Sequence, residues 1–289
     1  MKRQAPEHGS PPDSTGISFT ALYTGAVWHR HGLSDDALAT APGQWLYHLM
    51  TPLEATGMAV LGANLRIFLL QRHLIIDHLV EQAVNRGVTQ VLEIACGMSP
   101  RGIRLRQKFP QLHMAEADLP AMATRKASRL LVTGNLGPRH QVMPVDILAP
   151  AGDHSLETVV ARTFDNREPV VVITEGLTSY FSLPVISGFW QRLASVLKER
   201  PGSVYLSESY LMPTQLLLRS NLKFFGGLLG AITRSDVSFH FRDDQQAAEH
   251  FSSCGFPAVT VHNPADFYGR LAIPQSRHDP MVRVVEARS

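Results

Sequence analysis

Four short apolar segments in the middle of this chain are each followed by residues that could bind a nucleoside. In chain order these are the turn 95–102, the acids Glu116 and Asp118, the pair Asp146 and Ile147, and Glu175 with Gly176. A glycine-containing turn lets a ligand approach backbone N–H groups at the start of a helix. An acid at a strand end can accept hydrogen bonds from both ribose hydroxyls, and such charge-assisted bonds contribute roughly 1.5–3 kcal/mol. An acid followed by an apolar residue suits the edge and the face of adenine.

Each of these features also has an ordinary structural explanation. The turn could be a plain tight turn, and Glu116 or Asp118 could cap a helix that begins at Pro120. Asp146 could begin a turn before Pro150. The four features nevertheless occur in order, each at the same end of successive strands, and this order favours a cofactor that contains a nucleoside.

Alternating strands and helices from residue 89 onward would hold these residues at one edge of a sheet. The predicted strands are 90–95, 112–115, 141–145, 169–174 and 203–207, with helices at 103–109, 120–131 and 184–198 between them. Alternation of this length predicts a parallel sheet covered on both faces. Such a sheet binds its ligand beyond the carboxyl ends of its strands.

The end of the chain departs from that alternation. A predicted helix at 243–254 is followed by two strands, Ala258–His262 and 281–287, with only a loop between them. Strands joined in this way are expected to pair antiparallel. We therefore predict a doubly wound α/β sheet of seven strands with an antiparallel terminal strand, unlike the all-parallel sheet of a dinucleotide-binding fold.

The remaining segments divide the chain into parts. Residues 1–16 are polar and rich in proline and glycine, which predicts a disordered tail. Residues 17–86 carry apolar side chains at helical spacing and no strand signal, which predicts a helical cap. Residues 87–289 would form the ligand-binding domain. An apolar, glycine-containing insertion within it, at about 210–240, could act as a lid or as a wall of the substrate pocket.

Composition and charge exclude several function classes. The net charge of +2 argues against a nucleic-acid partner, and charged residues interrupt the longest apolar stretches, which argues against a membrane span. Cys96 and Cys254 have no metal-ligand spacing around them, so we expect neither a disulfide nor a metal site, and a cytoplasmic location. Arg101, Arg104 and Arg106 share one predicted helix, and we expect them on a solvated or phosphate-facing surface.

Three stretches of the sequence resemble the leucine carboxyl methyltransferase family. They are QVLEIACGMSPRGIRL at 90–105, AEADLP at 115–120 followed by Lys126, and TEGLTSY at 174–180. The branch that they most resemble is the bacterial O-methyltransferases associated with polyketide biosynthesis, and the similarity runs from about residue 17 to 200. The resemblance implies the class I methyltransferase fold, S-adenosylmethionine as the methyl donor and a small metabolite as the acceptor.

The resemblance and the residues at the predicted strand ends together give nine expected cofactor-binding positions. These are Arg72, Glu93, Ala95, Gly97, Glu116, Asp118, Asp146, Ile147 and Glu175. By the resemblance, Arg72 would approach the carboxylate of the cofactor, and Asp118 would hold the ribose with Glu116 beside it. Ala95 stands where the family commonly has a first glycine, and positions 99 and 100 depart from the usual Asp-Thr. The detailed loop contacts are therefore expected to differ.

Catalysis by such a protein depends mainly on positioning. Transfer of a methyl group from a sulfonium is an in-line displacement. A carboxylate acceptor needs no general base at neutral pH, whereas a hydroxyl acceptor usually does. His29 and His31 are the favoured base candidates because imidazole titrates near neutral pH, although either could be a surface or a hydrogen-bonded core histidine. Tyr180 is a further catalytic candidate that could instead pack on the sheet.

Two other functions stay open at this point. A nicotinamide-dependent oxidoreductase would want Gly-x-Gly-x-x-Gly after the first strand, where this chain reads Ala-Cys-Gly-Met-Ser-Pro. A non-catalytic module that binds S-adenosylmethionine would need the same cofactor residues but no acceptor pocket. A hydrolase is disfavoured because the sequence has no Gly-x-Ser-x-Gly elbow.

Overall fold

The computed structural model of the chain describes residues 19–61, 64–165, 167–211 and 238–289. Seven strands of these residues form one sheet: β1 Gln90–Ile94, β2 His113–Asp118, β3 His140–Pro144, β4 Val170–Thr174, β5 Val204–Tyr210, β6 Ala258–His262 and β7 Val282–Arg288. Their order across the sheet is β3-β2-β1-β4-β5-β7-β6. Strands β1 to β5 pair in parallel, and β7 runs antiparallel to both of its neighbours. The prediction of seven strands with an antiparallel terminal strand is confirmed.

Eight α-helices lie in the described residues. They are α1 Phe19–Arg30, α2 Ala41–Leu61, α3 Leu65–Asn85, α4 Arg101–Lys108, α5 Pro120–Val132, α6 Leu156–Thr163, α7 Leu183–Lys198 and α8 Asp244–Ser253. Short 3₁₀ turns occur at Asp36–Leu38, Thr178–Tyr180 and Pro264–Phe267. The strand order places a switch point between β1 and β4, where the chain leaves one half of the sheet and begins the other. Ligands bind at such a point in open α/β sheets.

The sheet is covered on both faces, as its sequence predicts. The four apolar residues that open β4 are all buried, which is the pattern of a strand between two helical layers. Val171 and Ile173 pack with α3 on one face, where Ile75 and Ile76 are fully buried. The alternate residues of β4 face the opposite core, which α6, α7 and α8 cover.

The N-terminal helices do not all lie apart from the sheet. Helix α3 packs directly on the sheet, whereas α1 and α2 form a smaller cluster around Tyr23, Val27 and Leu46 that rests on α3 through Leu69 and Leu70. The layer over the sheet therefore includes the last third of the segment expected to be a cap. The division at residue 86 stays a prediction, and the tail 1–16 lies outside the described residues.

One helix was not predicted, and two strands, β2 and β5, are longer than predicted. Helix α6 is only two turns long and begins where the Ser155 hydroxyl accepts a hydrogen bond from the Thr158 N–H. A parallel β3-to-β4 connection needs a crossover, and this helix provides it. Strand β5 extends to Tyr210, three residues beyond its predicted end. Most of the expected insertion, 212–237, lies outside the described residues.

Among the described helices, none combines the length and the apolar character that crossing a bilayer would require.

Candidate functional site

The loop after β1 contains two residues in left-handed backbone conformation. Ala95 has φ 55° and Gly97 has φ 45°. Ala95 is the only residue other than glycine with positive φ among the described residues, and it stands where a glycine was the expected type. A Cβ added to Gly97 would meet no atom within 4 Å, so the space beside this backbone is open. The loop can therefore admit a ligand close to its peptide groups.

Asp118 ends β2 beside this loop. Its Oδ2 accepts a hydrogen bond of 2.7 Å from the Gly97 N–H, and its Oδ1 accepts one of 2.8 Å from the Leu119 N–H. Burial raises the pKa of this carboxyl group, while the two N–H groups counteract that rise. Each carboxylate oxygen has a second lone pair, so both can still accept a ligand hydroxyl. Asp118 thus lies where a ribose-binding acid is expected.

Glu116 is bound by the protein itself. Its carboxylate is fully buried and lies 2.6 Å from Lys126 Nζ and 2.8 Å from His140 Nε2. Burial alone would raise its pKa, but Lys126 and His140 hold it below its usual value. A Cβ on Gly102 would lie 2.6 Å from the Glu116 carboxyl carbon, so the start of α4 also closes over it. This geometry does not favour the expected contact between Glu116 and the cofactor, because Lys126 and His140 already pair the charge of Glu116.

The turn after β3 is well ordered by its own side chain. Asp146 Oδ1 accepts a hydrogen bond of 2.9 Å from the Leu148 N–H, and the Asp146 N–H donates to the His154 carbonyl. Ile147 is buried beside it. An acid and an apolar side chain are therefore adjacent at the tip of β3, as an adenine site requires. No contact among the described residues tests that role.

Glu175, directly after β4, lies at the centre of a buried ion cluster. Its Oε1 accepts a 3.0 Å hydrogen bond from Arg72 Nε, and its Oε2 lies 2.6 Å from Arg101 Nη2 and 2.8 Å from His73 Nδ1. Burial would raise its pKa, yet these neighbours hold it well below the usual value. These contacts favour the ionised form of Glu175 at the edge of the sheet.

Arg101 corrects the expectation of a solvated arginine surface on α4. Its side chain is 0% exposed and binds Asp77 at 2.6 Å, Glu175 and the Oε1 of Glu93. Glu93 is a buried carboxylate that anchors the first residue of α4, and its expected role in cofactor binding stays a prediction. Burial of the guanidinium is tolerated because three carboxylates surround it.

The other two arginines of α4 are also engaged by the protein. Arg104 binds Asp77 and donates to the Leu33 carbonyl at 3.2 Å, and its side chain is only 27% exposed. Arg106 donates to the carbonyls of Pro110 and Leu112. The spacing of Arg101, Arg104 and Arg106 along the helix does not indicate that these side chains turn toward buried acids and carbonyl groups.

Arg72 joins the tips of β4 and β5. Besides Glu175 it donates through Nη1 to the Tyr210 hydroxyl at 2.9 Å, and the same nitrogen lies 3.9 Å from Glu208 Oε1. Its Nη2 lies beside Gly176, where an added Cβ would come within 3.1 Å. Arg72 is thus at the edge expected for the cofactor carboxylate, although its protein partners already include two carboxylates.

His73 is a site residue that the sequence analysis missed. It is fully buried, its ring lies 4.6 Å from that of Trp28, and its Nε2 lies 3.2 Å from Arg104 Nη2. Burial, assisted by Arg101 and Arg104, lowers its pKa to about 3, so the ring is neutral. The available signal was the run of three polar residues 71–73 between the apolar segments 67–70 and 74–76 of one helix.

Glu208 and Tyr210 were missed because β5 was expected to end at residue 207. Glu208 Oε1 accepts a 2.9 Å hydrogen bond from the Gly176 N–H, and the residue is 2% exposed. Its Oε2 has no hydrogen-bond partner among the described residues. Burial raises the pKa of Glu208, and burial likewise raises that of Tyr210 to about 12.

The predicted catalytic residues lie on two different elements. Both ring nitrogens of His29 are engaged, by Asp36 at 2.7 Å and by Gln44 at 3.2 Å. His31 is exposed at the surface. Partial desolvation of its ring and the nearby charge of Arg66 lower its pKa. Tyr180 ends the 3₁₀ turn that follows Glu175. No hydrogen bond or ion pair between described residues joins His29 or His31 to the Glu175 cluster, so their catalytic roles stay predictions.

Comparison with known proteins identifies relatives of this chain. The sequence model for "Leucine carboxyl methyltransferase" matches residues 34–187, just over half of the chain. A protein of Mycobacterium bovis, provisionally named an S-adenosyl-L-methionine-dependent methyltransferase, is 26% identical over 215 residues, which cover 73% of this chain and 67% of that protein. A Parafrankia protein of the same provisional name is 29% identical over 194 residues, which cover 62% of this chain and 59% of that protein.

A solved structure shares the fold. A protein of Thermobifida fusca, described provisionally as a methyltransferase, superimposes with a TM-score of 0.62 at 16% identity and covers 96% of both chains. At this identity the likeness concerns the fold alone, and the fold is that of the class I methyltransferases.

Proposed function

We propose, on the premise that this chain belongs to the leucine carboxyl methyltransferase family, that it methylates an oxygen atom of a small metabolite. The chain is an S-adenosylmethionine-dependent methyltransferase, as its family and its relatives indicate. The finer proposal is that the acceptor oxygen belongs to a carboxylate or a hydroxyl group of a small, polyketide-like molecule.

The observation that carries the proposal is the position of Asp118. Two backbone N–H groups hold its carboxylate at the tip of β2, beside the open space over Gly97. This arrangement fits a ribose, whose two hydroxyls need an acceptor that is fixed and still has free lone pairs. The donor and acceptor set thus fits S-adenosylmethionine. Asp146 and Ile147 would hold its adenine, and Arg72 and Glu175 would lie at its amino-acid end.

When bound, S-adenosylmethionine supplies a methyl group already activated by a sulfonium. The protein then needs chiefly to hold the acceptor in line, and alignment of this kind contributes about 7–11 kcal/mol. The buried ion cluster favours such rigidity because Arg72, Arg101 and Glu175 each have several partners. If the acceptor is a hydroxyl group, a base is also required, for which His29, His31 and Tyr180 are the candidates named by the sequence.

Binding of the demethylated product tests the cofactor half of the proposal. We expect calorimetry to detect S-adenosylhomocysteine bound to the wild type, with at least tenfold weaker binding to Asp118→Asn, because a neutral amide loses the charge-assisted hydrogen bonds. Asp153→Asn is the matched control, since Asp153 is exposed and pairs only with Arg162 on the surface. Folded wild-type protein that binds no S-adenosylhomocysteine would contradict the proposal.

Product chemistry tests the acceptor half. The protein is incubated with S-adenosylmethionine carrying a labelled methyl group and with a panel of carboxylic acids, alcohols and phenols. Methyl esters release labelled methanol in mild base, whereas methyl ethers survive. Label confined to nitrogen or carbon atoms of products would exclude O-methylation, and binding without any transfer would favour the non-catalytic module. The nicotinamide alternative is not retained, because the family match and the antiparallel β7 are those of a methyltransferase.

A further inference from the structure

We propose that Glu208 is the general base of the reaction and that the acceptor is therefore an alcohol or a phenol rather than a carboxylic acid. This inference rests on the proposed O-methyl transfer and names its substrate class. Glu208 lies near the carboxyl end of β5, and Thr174 of β4 pairs in register with Ser207. Glu175 and Glu208 therefore follow paired positions on two adjacent parallel strands, at the edge where such sheets bind ligands.

The protein treats these two carboxylates very differently. Glu175 contacts Arg72, His73 and Arg101 within 3.0 Å. Among the described residues, Glu208 receives one backbone N–H, from Gly176, and its only cationic neighbour in ion-pair range is Arg72 at 3.9 Å. Its Oε2 is buried without a hydrogen-bond partner among the described residues. Buried polar atoms are normally paired, so an unpaired carboxylate oxygen beside a ligand edge indicates a partner supplied by the ligand.

Among the described residues, the charged and titratable groups around Glu208 come from α3, from the end of β4 and from β5 itself. They are Arg72 on α3, Glu175 after β4, and Tyr205 and Tyr210 on β5 itself, while the residue opposite on β7 is the uncharged Val284. Burial raises the pKa of Glu208 and Glu175 adds to the rise, whereas Arg72 and the Gly176 N–H oppose it. The pKa of Glu175 is instead held low. Two neighbouring carboxylates whose pKa values are driven apart are typical of an acid–base site.

The proton and electron balance of the step is simple. The acceptor O–H bond breaks, and its proton passes to Glu208 Oε2. The acceptor oxygen forms a bond to the methyl carbon, while the electron pair of the broken carbon–sulfur bond stays on sulfur. The products are a methyl ether and S-adenosylhomocysteine, and Glu208 then returns the proton to solvent. A carboxylate acceptor is already ionised at neutral pH, so it would gain nothing from this base and would be repelled by the ionised form of Glu208.

A set of three variants tests the proposal. Glu208→Gln removes the base and keeps the shape, Glu208→Asp keeps a carboxylate, and Glu249→Gln is a control on the exposed face of α8. With phenols of graded acidity, we expect kcat of Glu208→Gln to fall by about 10²–10⁴-fold, which is the usual contribution of a general base. The loss should shrink for nitrophenols, which ionise without help. Glu249→Gln should match the wild type.

Two further measurements separate a base from a merely structural residue. The wild type should lose kcat/KM as pH falls through the pKa of Glu208. In Glu208→Gln the rate should instead follow the phenolate fraction, and Glu208→Asp should retain the wild-type form of the profile. The Kd for S-adenosylhomocysteine should stay within threefold in all variants. If Glu208→Gln folds poorly, the proposal is tested on Glu208→Asp instead, by its pH profile and by its rates with the nitrophenol series.

Several outcomes would overturn the proposal. A Kd for S-adenosylhomocysteine that rises tenfold or more in Glu208→Gln would assign Glu208 to the cofactor ammonium group. An equal loss of kcat across all phenols would indicate a structural role. Products confined to base-labile methyl esters would leave O-methylation intact and contradict only this inference. Absence of any methyl transfer by protein that binds S-adenosylhomocysteine would contradict the proposed function itself.

Discussion

Ala95 illustrates what a single residue does to the cofactor loop. The left-handed conformation costs a residue with a Cβ roughly 1–2 kcal/mol, whereas glycine adopts it freely. Ala95 nonetheless has φ 55°, two residues before the left-handed Gly97. The sequence analysis noted alanine where glycine is common, and the structure gives the reason why glycine is the common residue there. The protein therefore stores local strain at the edge where we propose that the cofactor binds.

We expect Ala95→Gly to raise the free energy of unfolding by about 0.5–1 kcal/mol. The gain is the strain removed, less about 0.4–1 kcal/mol for the greater freedom of glycine in the unfolded chain. Urea unfolding of wild type and variant measures it. Ala127→Gly, in the middle of α5, is the control and should lose about 1 kcal/mol. Equal losses in the two variants would exclude strain at position 95.

At the scale of elements, one arginine connects three parts of the fold. Arg101 begins α4 and binds Asp77 on α3, Glu93 on β1 and Glu175 after β4. The N-cap of α4 has no side-chain hydrogen bond, so this short helix depends on such tertiary contacts. The cluster thus fixes the helix that follows the cofactor loop relative to the strand tips.

Replacing Arg101 should uncouple these elements. We expect Arg101→Met to destabilise the protein by about 3–5 kcal/mol, because it takes one cation from Asp77 and Glu175 and leaves the buried Glu93 without an ion-pair partner among the described residues. Arg101→Lys should recover only part of the loss, since an ammonium group cannot reproduce the fork of a guanidinium. Chemical denaturation provides the measurement. Arg129→Met, at an exposed site of α5, should change stability by no more than about 0.5 kcal/mol. Similar effects of the two methionine variants would contradict the role of the cluster.

The elements that the sequence failed to predict are those with weak local signals. Helix α6 has only eight residues, so its buried Leu156, Val159 and Val160, although helically spaced, give a pattern barely longer than one turn. The last three residues of β5 are Glu208, Ser209 and Tyr210, whose polar side chains do not resemble a buried strand. Their burial follows from pairing with β7, which is distant in sequence.

At the scale of the whole molecule, the strand order gathers the site. Strands β2, β1, β4 and β5 are parallel neighbours, so the residues at their carboxyl ends meet at one edge of the sheet: Asp118, Gly97, Glu175 and Glu208. Gly97 and Glu208 are 111 positions apart in the sequence. Helix α3 completes this edge from the N-terminal side by adding Arg72 and His73. The site therefore exists only when the entire sheet is formed.

Global stability should depend on pH through His73. Its pKa is about 3 in the folded protein against about 6.5 when unfolded. The unfolded chain then binds the extra proton between these values, so stability is lost as pH falls below about 6.5. The expected contribution is about 1.4 kcal/mol per pH unit. Urea unfolding of His73→Gln at pH 7.5, 6.5 and 5.5 should lack this component, whereas His278→Gln, at an exposed site, should keep it. Identical pH dependence of wild type and His73→Gln would refute the assignment.

The sequence alone determined the sheet, its antiparallel last strand and the strand ends that carry Asp118, Asp146 and Glu175. These features follow from local periodicity and from turn residues, which neighbouring side chains dictate. Only the tertiary structure decided which polar side chains face inward. Arg101, His73, Glu116 and Glu208 have no local mark of burial, because their partners lie on other elements. A charge is stable in a protein interior only where opposite charges or hydrogen bonds pair with it, and the fold determines which groups form these pairs.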